Sequence, residues 1–158
     1  MQRCQNRIIA MSTRQQTGFT LIEMLIVLVI MAILSALAYP SYLESVRKTR
    51  RAEARTALTK LMQQQERFYT SHNTYMAFSS TSVDPDALRF QWFSGATPAA
   101  SAYEITGSAC DGEVIRDCVL LTATPGTSKV NAGYQDETCA ALGLTSTGKQ
   151  LARLPICW

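Results

Sequence analysis

The first strong pattern along the chain is an apolar run from Phe19 to Tyr39, in which Glu23 is the only charged side chain. A helix over this run would be about 31 Å long, close to the ~30 Å hydrocarbon core of a bilayer. The pattern therefore predicts a membrane-length helix that carries one carboxylate near its start.

A second helical pattern follows Pro40. Apolar and long side chains recur there at helical spacing and leave the opposite face polar; the stripe consists of Ala54, Leu58, Leu61, Met62, Gln65, Phe68 and Tyr69. The two patterns together predict one helix from about Thr20 to Ser71, roughly 78 Å long. Because proline removes a backbone hydrogen bond, we expect a kink at Pro40.

The remainder of the chain predicts a loop followed by strands. Residues 73–102 are rich in Ser, Thr and Pro and should connect the helix to a sheet. Alternation then predicts strands at Tyr103–Thr106, Cys118–Pro125 and Cys139–Thr145. Such strands would cover the apolar stripe of the helix. We therefore predict an α+β fold, with a long amino-terminal helix packed on a small antiparallel sheet.

Cysteine usage indicates an oxidising compartment. Cys4 lies near the start, whereas Cys110, Cys118, Cys139 and Cys157 lie in the last third of the chain. Zinc is disfavoured because the chain has no CxxC pair and only one histidine, His72. Two disulfides are expected. Three pairings are open, and we favour Cys110–Cys118 with Cys139–Cys157 because each would close a local loop.

The net charge of +3 comes from the first residues, since Arg3, Arg7 and Arg14 precede Gly18 and no acidic residue does. Loss of that leader would leave 12 basic and 12 acidic side chains, which disfavours nucleic acid as a partner. A basic cluster follows the apolar run. We interpret it as a solvated helix face, with a subunit contact or DNA as alternatives; it comprises Arg47, Lys48, Arg50, Arg51 and Arg55.

The apolar run has three interpretations. One is a plain membrane anchor. Another is a secretory signal cut after Ala36-Leu37-Ala38, although such signals usually have ~7–15 apolar residues and no acid. The third depends on the motif Gly18-Phe19-Thr20-Leu21-Ile22-Glu23, followed by the apolar run and Pro40. This motif resembles the class III signal of type IV pilins and pseudopilins.

The resemblance implies that prepilin peptidase cuts between Gly18 and Phe19, that Phe19 is N-methylated, and that the helix stays on the protein. Glu23 would then lie four residues after the new amine, on the same helix side. In the family this acid pairs with the amine of a neighbouring subunit, and the cost of an unpaired charge would set the axial register. The alternative is that Glu23 only closes a capping box with Thr20.

The carboxyl-terminal half resembles PilE-type minor pilins more weakly. The similar segments are Arg67–Tyr69, Asn73–Tyr75, Leu121–Pro125 and Cys139–Leu144, followed by Gly148. The resemblance implies that Cys139–Cys157 closes the disulfide-bounded region of a pilin. The additional pair Cys110/Cys118 and the insert Gly107–Glu113 depart from that pattern, which leaves the subtype open.

We found no nucleophile–base pair, metal set or phosphate loop, so we predict neither an enzyme nor a bound cofactor or metal. Asp111, Glu113 and Asp117 suggest an exposed acidic hairpin tip rather than a calcium site, because no EF-hand-type loop is present.

The resemblance predicts a structural subunit of a type IV pilus, a minor pilin that enters or initiates the filament and serves motility or adhesion. Its partners would be other pilin subunits, prepilin peptidase, the pilus assembly machinery and the inner membrane, with the carboxyl-terminal part periplasmic before assembly. The alternatives are a type II secretion pseudopilin and a DNA-binding competence pilin. The predicted segments are a leader (1–18), a hydrophobic helix (19–40), an amphipathic helix (41–72), a loop (73–102) and the sheet region (103–158).

Two features of the amino-terminal end leave alternatives. The start codon is Met1 or Met11, and the second choice would remove Cys4. The basic cluster after the span would place the carboxyl-terminal part in the cytoplasm by the positive-inside rule. The cysteines and the cleavage motif favour the opposite orientation.

Overall fold

The computed structural model describes residues 18–158, so most of the predicted leader, including Cys4, lies outside the described residues. One helix, α1, runs from Leu21 to His72 and continues through Pro40. The chain divides into two compact units, one that ends at Ser41 and one formed by Tyr42–Trp158. The predicted helix is confirmed, and its observed ends lie within one residue of the expected ones.

The second unit contains a four-stranded sheet of β1 (Tyr103–Ala109), β2 (Val119–Pro125), β3 (Leu142–Thr145) and β4 (Gln150–Leu151). The strands lie in sequence order and each neighbouring pair is antiparallel. The predicted α+β fold, a long helix with an antiparallel sheet, is confirmed.

The third strand begins later than the sequence predicted. The prediction started it at Cys139, but Asp136–Ala140 forms a turn in which the Ala140 amide donates to the Asp136 carbonyl. Ala140 also has φ 53°, which no strand residue adopts. Strand β4 was not predicted, because two residues carry no readable alternation.

The core lies between one face of the sheet and one stripe of α1. Every second residue of β1 and β2 is buried along most of each strand, as expected for a half-buried sheet. On α1, Ala54, Leu58 and Leu61 are buried and belong to the same cluster as Ile105 and Leu121. Burial of each such leucine or isoleucine contributes about 1.5–3 kcal/mol.

The loop after α1 is held to the helix by a buried glutamine. Gln65 is fully buried, and its amide both donates to the Met76 carbonyl and accepts from the Met76 amide, at 2.7 and 2.9 Å. Further along, Phe78 and Phe93 form isolated bridges with Gly107 and Glu104 of β1. The loop therefore covers the outer edge of β1, which would otherwise expose unpaired backbone groups.

Candidate functional site

The start of α1 is closed by a capping box. The amide and hydroxyl of Thr20 both donate to Oε2 of Glu23 at 3.0 Å, and the Glu23 amide donates back to the Thr20 hydroxyl at 3.3 Å. Gly18 and Phe19, which flank the predicted cleavage position, are both exposed. The structure therefore contains the capping box that the sequence left as an alternative role for Glu23.

The first half of α1 presents an apolar surface on all sides. Every large apolar side chain from Phe19 to Tyr39 is at least half exposed. Within the described residues α1 is the one helix apolar enough to cross a membrane, and its most apolar 18-residue window has a mean hydropathy of 2.8 and no buried residue. Such a surface in water would be strongly unfavourable, so lipid or other protein must cover it.

A buried ion pair joins the second half of α1 to the carboxyl-terminal region. Nε and Nη2 of Arg51 donate to Oδ2 and Oδ1 of Asp136 at 2.6 and 2.8 Å, and the two side chains are 7% and 0% exposed. The Asp136 carboxylate also accepts from the Tyr103 hydroxyl at 2.8 Å and from the Cys139 amide at 3.1 Å. Glu44 lies 3.5 Å from Nη1 of Arg51. The carboxylate is thus fully satisfied by donors.

These contacts shift the pKa values of the network in directions that follow from its geometry. Burial is the largest influence on Asp136 and acts to raise its pKa, but the hydrogen bonds from Arg51, Tyr103 and the Cys139 amide outweigh it, and the pKa lies below the ordinary value. For Tyr103, burial raises the pKa most, and the hydrogen bonds with Tyr134 and Asp136 raise it further. The pair therefore stays charged, and the tyrosine neutral, across the physiological range.

Two disulfides close the ends of the sheet region. Cys139–Cys157 ties the turn that carries Asp136 to the carboxyl terminus, and both cysteines are buried. Cys110–Cys118 closes the tip of the β1–β2 hairpin. The turn that carries Asp136 is therefore held in two ways, by the disulfide and by the ion pair with Arg51.

Charge is unevenly distributed over the second unit. Residues 42–72 carry seven basic and three acidic side chains, whereas residues 103–158 carry four basic and six acidic ones. The interpretation of the basic cluster as a solvated helix face is wrong for Arg51, which is buried, and it stands for Lys48, which is exposed.

Sequence reasoning missed the Arg51–Asp136 pair, although one signal was readable. Arg51 precedes Ala54 by three residues and Leu58 by seven, so it continues the apolar stripe of α1. A charge in that position requires a buried partner. Its partner, 85 residues further on, could not be identified from the pattern.

Comparison with known protein families identifies the family of this chain. Residues 40–143 match the model of a family described as type IV minor pilin ComP, DNA uptake sequence receptor. The chain belongs to this type IV minor pilin family. Residues 13–39 of the minor pilin also match the prokaryotic N-terminal methylation motif. The predicted role as a structural subunit of a type IV pilus is confirmed.

Two solved pilin structures resemble this minor pilin. A type IV pilin from Shewanella oneidensis has 22% sequence identity and a TM-score of 0.44, and the match covers 70% of this chain and 96% of that one. The non-core minor pilin PilV from Neisseria meningitidis has 24% identity and a TM-score of 0.44, with 68% and 87% covered. No curated protein shows a significant match to the sequence.

Proposed function

We propose that prepilin peptidase cleaves this minor pilin between Gly18 and Phe19, that Phe19 is N-methylated, and that the retained helix passes from the inner membrane into the core of a pilus. The observation that supports this most is the exposed apolar half of α1 attached to a folded unit. The methylation motif spans the cleavage position. Before assembly the second unit, with its two disulfides, is periplasmic.

The amino terminus of the mature chain tests this processing. Mass spectrometry of the chain from isolated pili should give an N-methylated Phe19 start. A start at Tyr39 would mean release by signal peptidase after Ala38, and an uncleaved chain would mean a plain membrane anchor. Either of those results would contradict the proposed route into the fibre.

Glu23 is proposed to set the axial register by pairing with the amine of a neighbouring subunit. Both bonds from Thr20 go to Oε2, so Oε1 accepts no hydrogen bond from the described residues and remains open to a second donor. Among apolar helices such a pair would be strongly favoured over an uncompensated charge.

A pair of substitutions separates the register role from capping. The amide of Glu23→Gln keeps an oxygen that can accept from Thr20 but removes the charge, whereas Glu23→Leu removes both. If the charge sets the register, both variants should be depleted from pili while remaining in the membrane. If Glu23→Gln enters pili as well as the unchanged chain, capping alone explains the acid.

The pilus role is distinguished from the secretion alternative by phenotype. Deletion of the chain should reduce surface pili, twitching or attachment, because a minor pilin enters or initiates that fibre. Retention of exoproteins in the periplasm with normal piliation would instead indicate a type II secretion pseudopilin.

DNA binding is a second candidate function, favoured by the description of the matched family. In the sheet region Lys129 and Lys149 are exposed and form no ion pair with any residue from 18 to 158. Arg116 lies 3.2 Å from Asp117, and Arg153 donates to the Glu137 carbonyl at 2.9 Å. Few free cations are therefore available for phosphate contacts on this side.

Salt dependence tests this candidate. If Lys129 and Lys149 contact phosphates, the detergent-solubilised full chain should bind duplex DNA with a log–log salt slope of about −2. Lys129→Ala with Lys149→Ala should abolish that slope, and Lys48→Ala on the helix serves as the control. Absence of binding at low salt would reject the candidate.

A further inference from the structure

A basic groove runs along the exposed side of α1 in the second unit. It has a volume of about 660 Å³ and lies between the helix and the carboxyl-terminal end of the chain. Arg55 and Lys60 lie on its helix side, with Gln150 and Trp158 opposite, and its described lining contains no acidic side chain. Neither cation forms an ion pair with any residue from Gly18 to Trp158. The groove therefore presents two positive charges without an ion-pair partner beside an indole ring.

The wall opposite the helix is rigid. The Trp158 indole donates to the Leu151 carbonyl at 3.0 Å, which fixes the ring against strand β4. Trp158 follows Cys157, which is buried and disulfide-bonded to Cys139. A ligand would thus meet a preformed surface and pay little ordering entropy on this side.

The β1–β2 hairpin tip has the complementary chemistry. Asp111 and Glu113 are exposed and form no ion pair within the described chain, and Val114 beside them is 57% exposed. The tip is closed by the Cys110–Cys118 disulfide and by the bond from the Cys118 amide to the Val114 carbonyl at 3.1 Å. It is a small, stiff, acidic loop with one exposed apolar side chain.

The groove and the tip lie at different levels along α1. Strand β1 begins at Tyr103, which is bonded to the carboxylate that Arg51 holds. It then passes Gly107, which pairs with Phe78 of the loop that follows the carboxyl-terminal end of α1. The tip therefore projects near that end of the helix, whereas the groove extends over residues 52–63. A contact between them on two copies would offset the copies by on the order of 20 Å along α1.

We propose that the groove around Arg55, Lys60 and Trp158 binds the acidic hairpin tip of a second copy of this chain, through Asp111, Glu113 and Val114. The two patches differ, so the contact is head-to-tail rather than two-fold symmetric, which is the kind of contact from which an open filament can be built. Charge complementarity selects this occupant: two free cations face two free carboxylates, and Val114 packs toward the indole. The inference depends on the proposed assembly of the chain into a fibre.

Photo-crosslinking in isolated pili tests the contact. Val114 is replaced with benzoylphenylalanine in the full chain, and two differently tagged copies are expressed together. After irradiation, mass spectrometry should find Val114 of one copy joined to peptides around Gln63 or Trp158 of the other. The same probe at Gln63 gives the reciprocal measurement. Val83, which is 89% exposed on the loop after α1, is the control position and should give no such product.

Charge reversal supplies the second arm. Lys60→Glu should lower the crosslink yield at least about tenfold, because like charges across an interface cost several kcal/mol. Asp111→Lys with Glu113→Lys should do the same. A chain that combines Lys60→Glu and Arg55→Glu with Asp111→Lys and Glu113→Lys exchanges the charges of the two patches, and it should restore most of the crosslink yield. Lys60, Asp111 and Glu113 are exposed and Arg55 is partly exposed, and thermal unfolding of each variant verifies that the second unit remains folded.

The outcomes separate this proposal from the proposed function. If the chain is absent from pili, the assembly proposal fails before any crosslink is measured. If the chain is in pili but the probe at Val114 crosslinks to a different pilin, the second copy is the wrong occupant. The same conclusion follows if the control probe at Val83 gives the same product as the probe at Val114. If the reversals leave the yield unchanged, or the charge swap does not restore it, charge complementarity is not the basis of the contact.

Discussion

Replacing Arg51 with methionine should destabilise the Tyr42–Trp158 unit by about 3–5 kcal/mol, the cost typical of removing one partner from a buried ion pair. The structure supports the full range, because the Arg51 and Asp136 side chains are 7% and 0% exposed and the guanidinium donates two of the carboxylate's bonds. The Tyr103 hydroxyl and the Cys139 amide would remain, but they do not neutralise the charge.

The measurement is thermal unfolding of the full chain in detergent, followed by near-ultraviolet circular dichroism, which reports the packed unit rather than the membrane helix. A loss of this size should lower the midpoint by about 10–20 °C. Arg47→Met is the matched control, because Arg47 is exposed and lies 3.9 Å from Glu44, and such pairs contribute ~0–1 kcal/mol.

A second variant separates loss of the pair from loss of packing. Arg51→Met combined with Asp136→Leu removes both charges and should recover part of the stability, since buried pairs can be replaced by apolar side chains at little cost. If Arg51→Met alone lies within about 1 kcal/mol of the unchanged chain, the ion pair is not what holds this turn to α1.

The same carboxylate makes stability dependent on pH. The pKa of Asp136 is lower in the folded chain than its ordinary value of 3.8. The contribution of this carboxylate to folding stability is therefore fully present above pH 3.8, and it is lost as pH falls below that value toward the folded-state pKa. Asp136→Asn should flatten this acid limb of the stability curve, and an unchanged limb would assign it to other carboxylates.

Three further predictions concern the same unit. The pKa of Tyr103 is raised from its ordinary 10.0, so the contribution of its hydroxyl to folding stability is present below pH 10.0 and declines as pH rises above it. Tyr103→Phe should weaken that alkaline loss of stability in unfolding titrations. At neutral pH it should lower the free energy of unfolding by about 1.5–3 kcal/mol. Serine at both Cys139 and Cys157 should cost about 3 kcal/mol in denaturant unfolding, because the bond spans 18 residues; no change after reduction of the unchanged chain would contradict this. Gly126→Ala should lower the melting temperature far more than Gly112→Ala, because both have positive φ but only at Gly126 would the added Cβ clash with a backbone oxygen, that of Tyr134.

The local patterns of the chain were sufficient for the helix, its two halves and the fold class. Helical and strand periodicity depend on residues a few positions apart, so the stripe from Ala54 to Gln65 and the alternation of β1 and β2 could be read directly. The motif from Gly18 to Glu23 pointed to the family before any contact was known, because it is a contiguous signal.

Only the tertiary structure decided which charges are buried and which surfaces meet. Arg51 and Arg55 both belong to the basic cluster, yet one binds Asp136, 85 residues further along the chain, and the other lines an open groove. The physical reason is that a charge's environment depends on segments brought together by folding. The sequence by itself determined that a strongly apolar helix precedes an α+β unit. The three-dimensional packing determined how that unit is held together and which of its faces remain free for a partner.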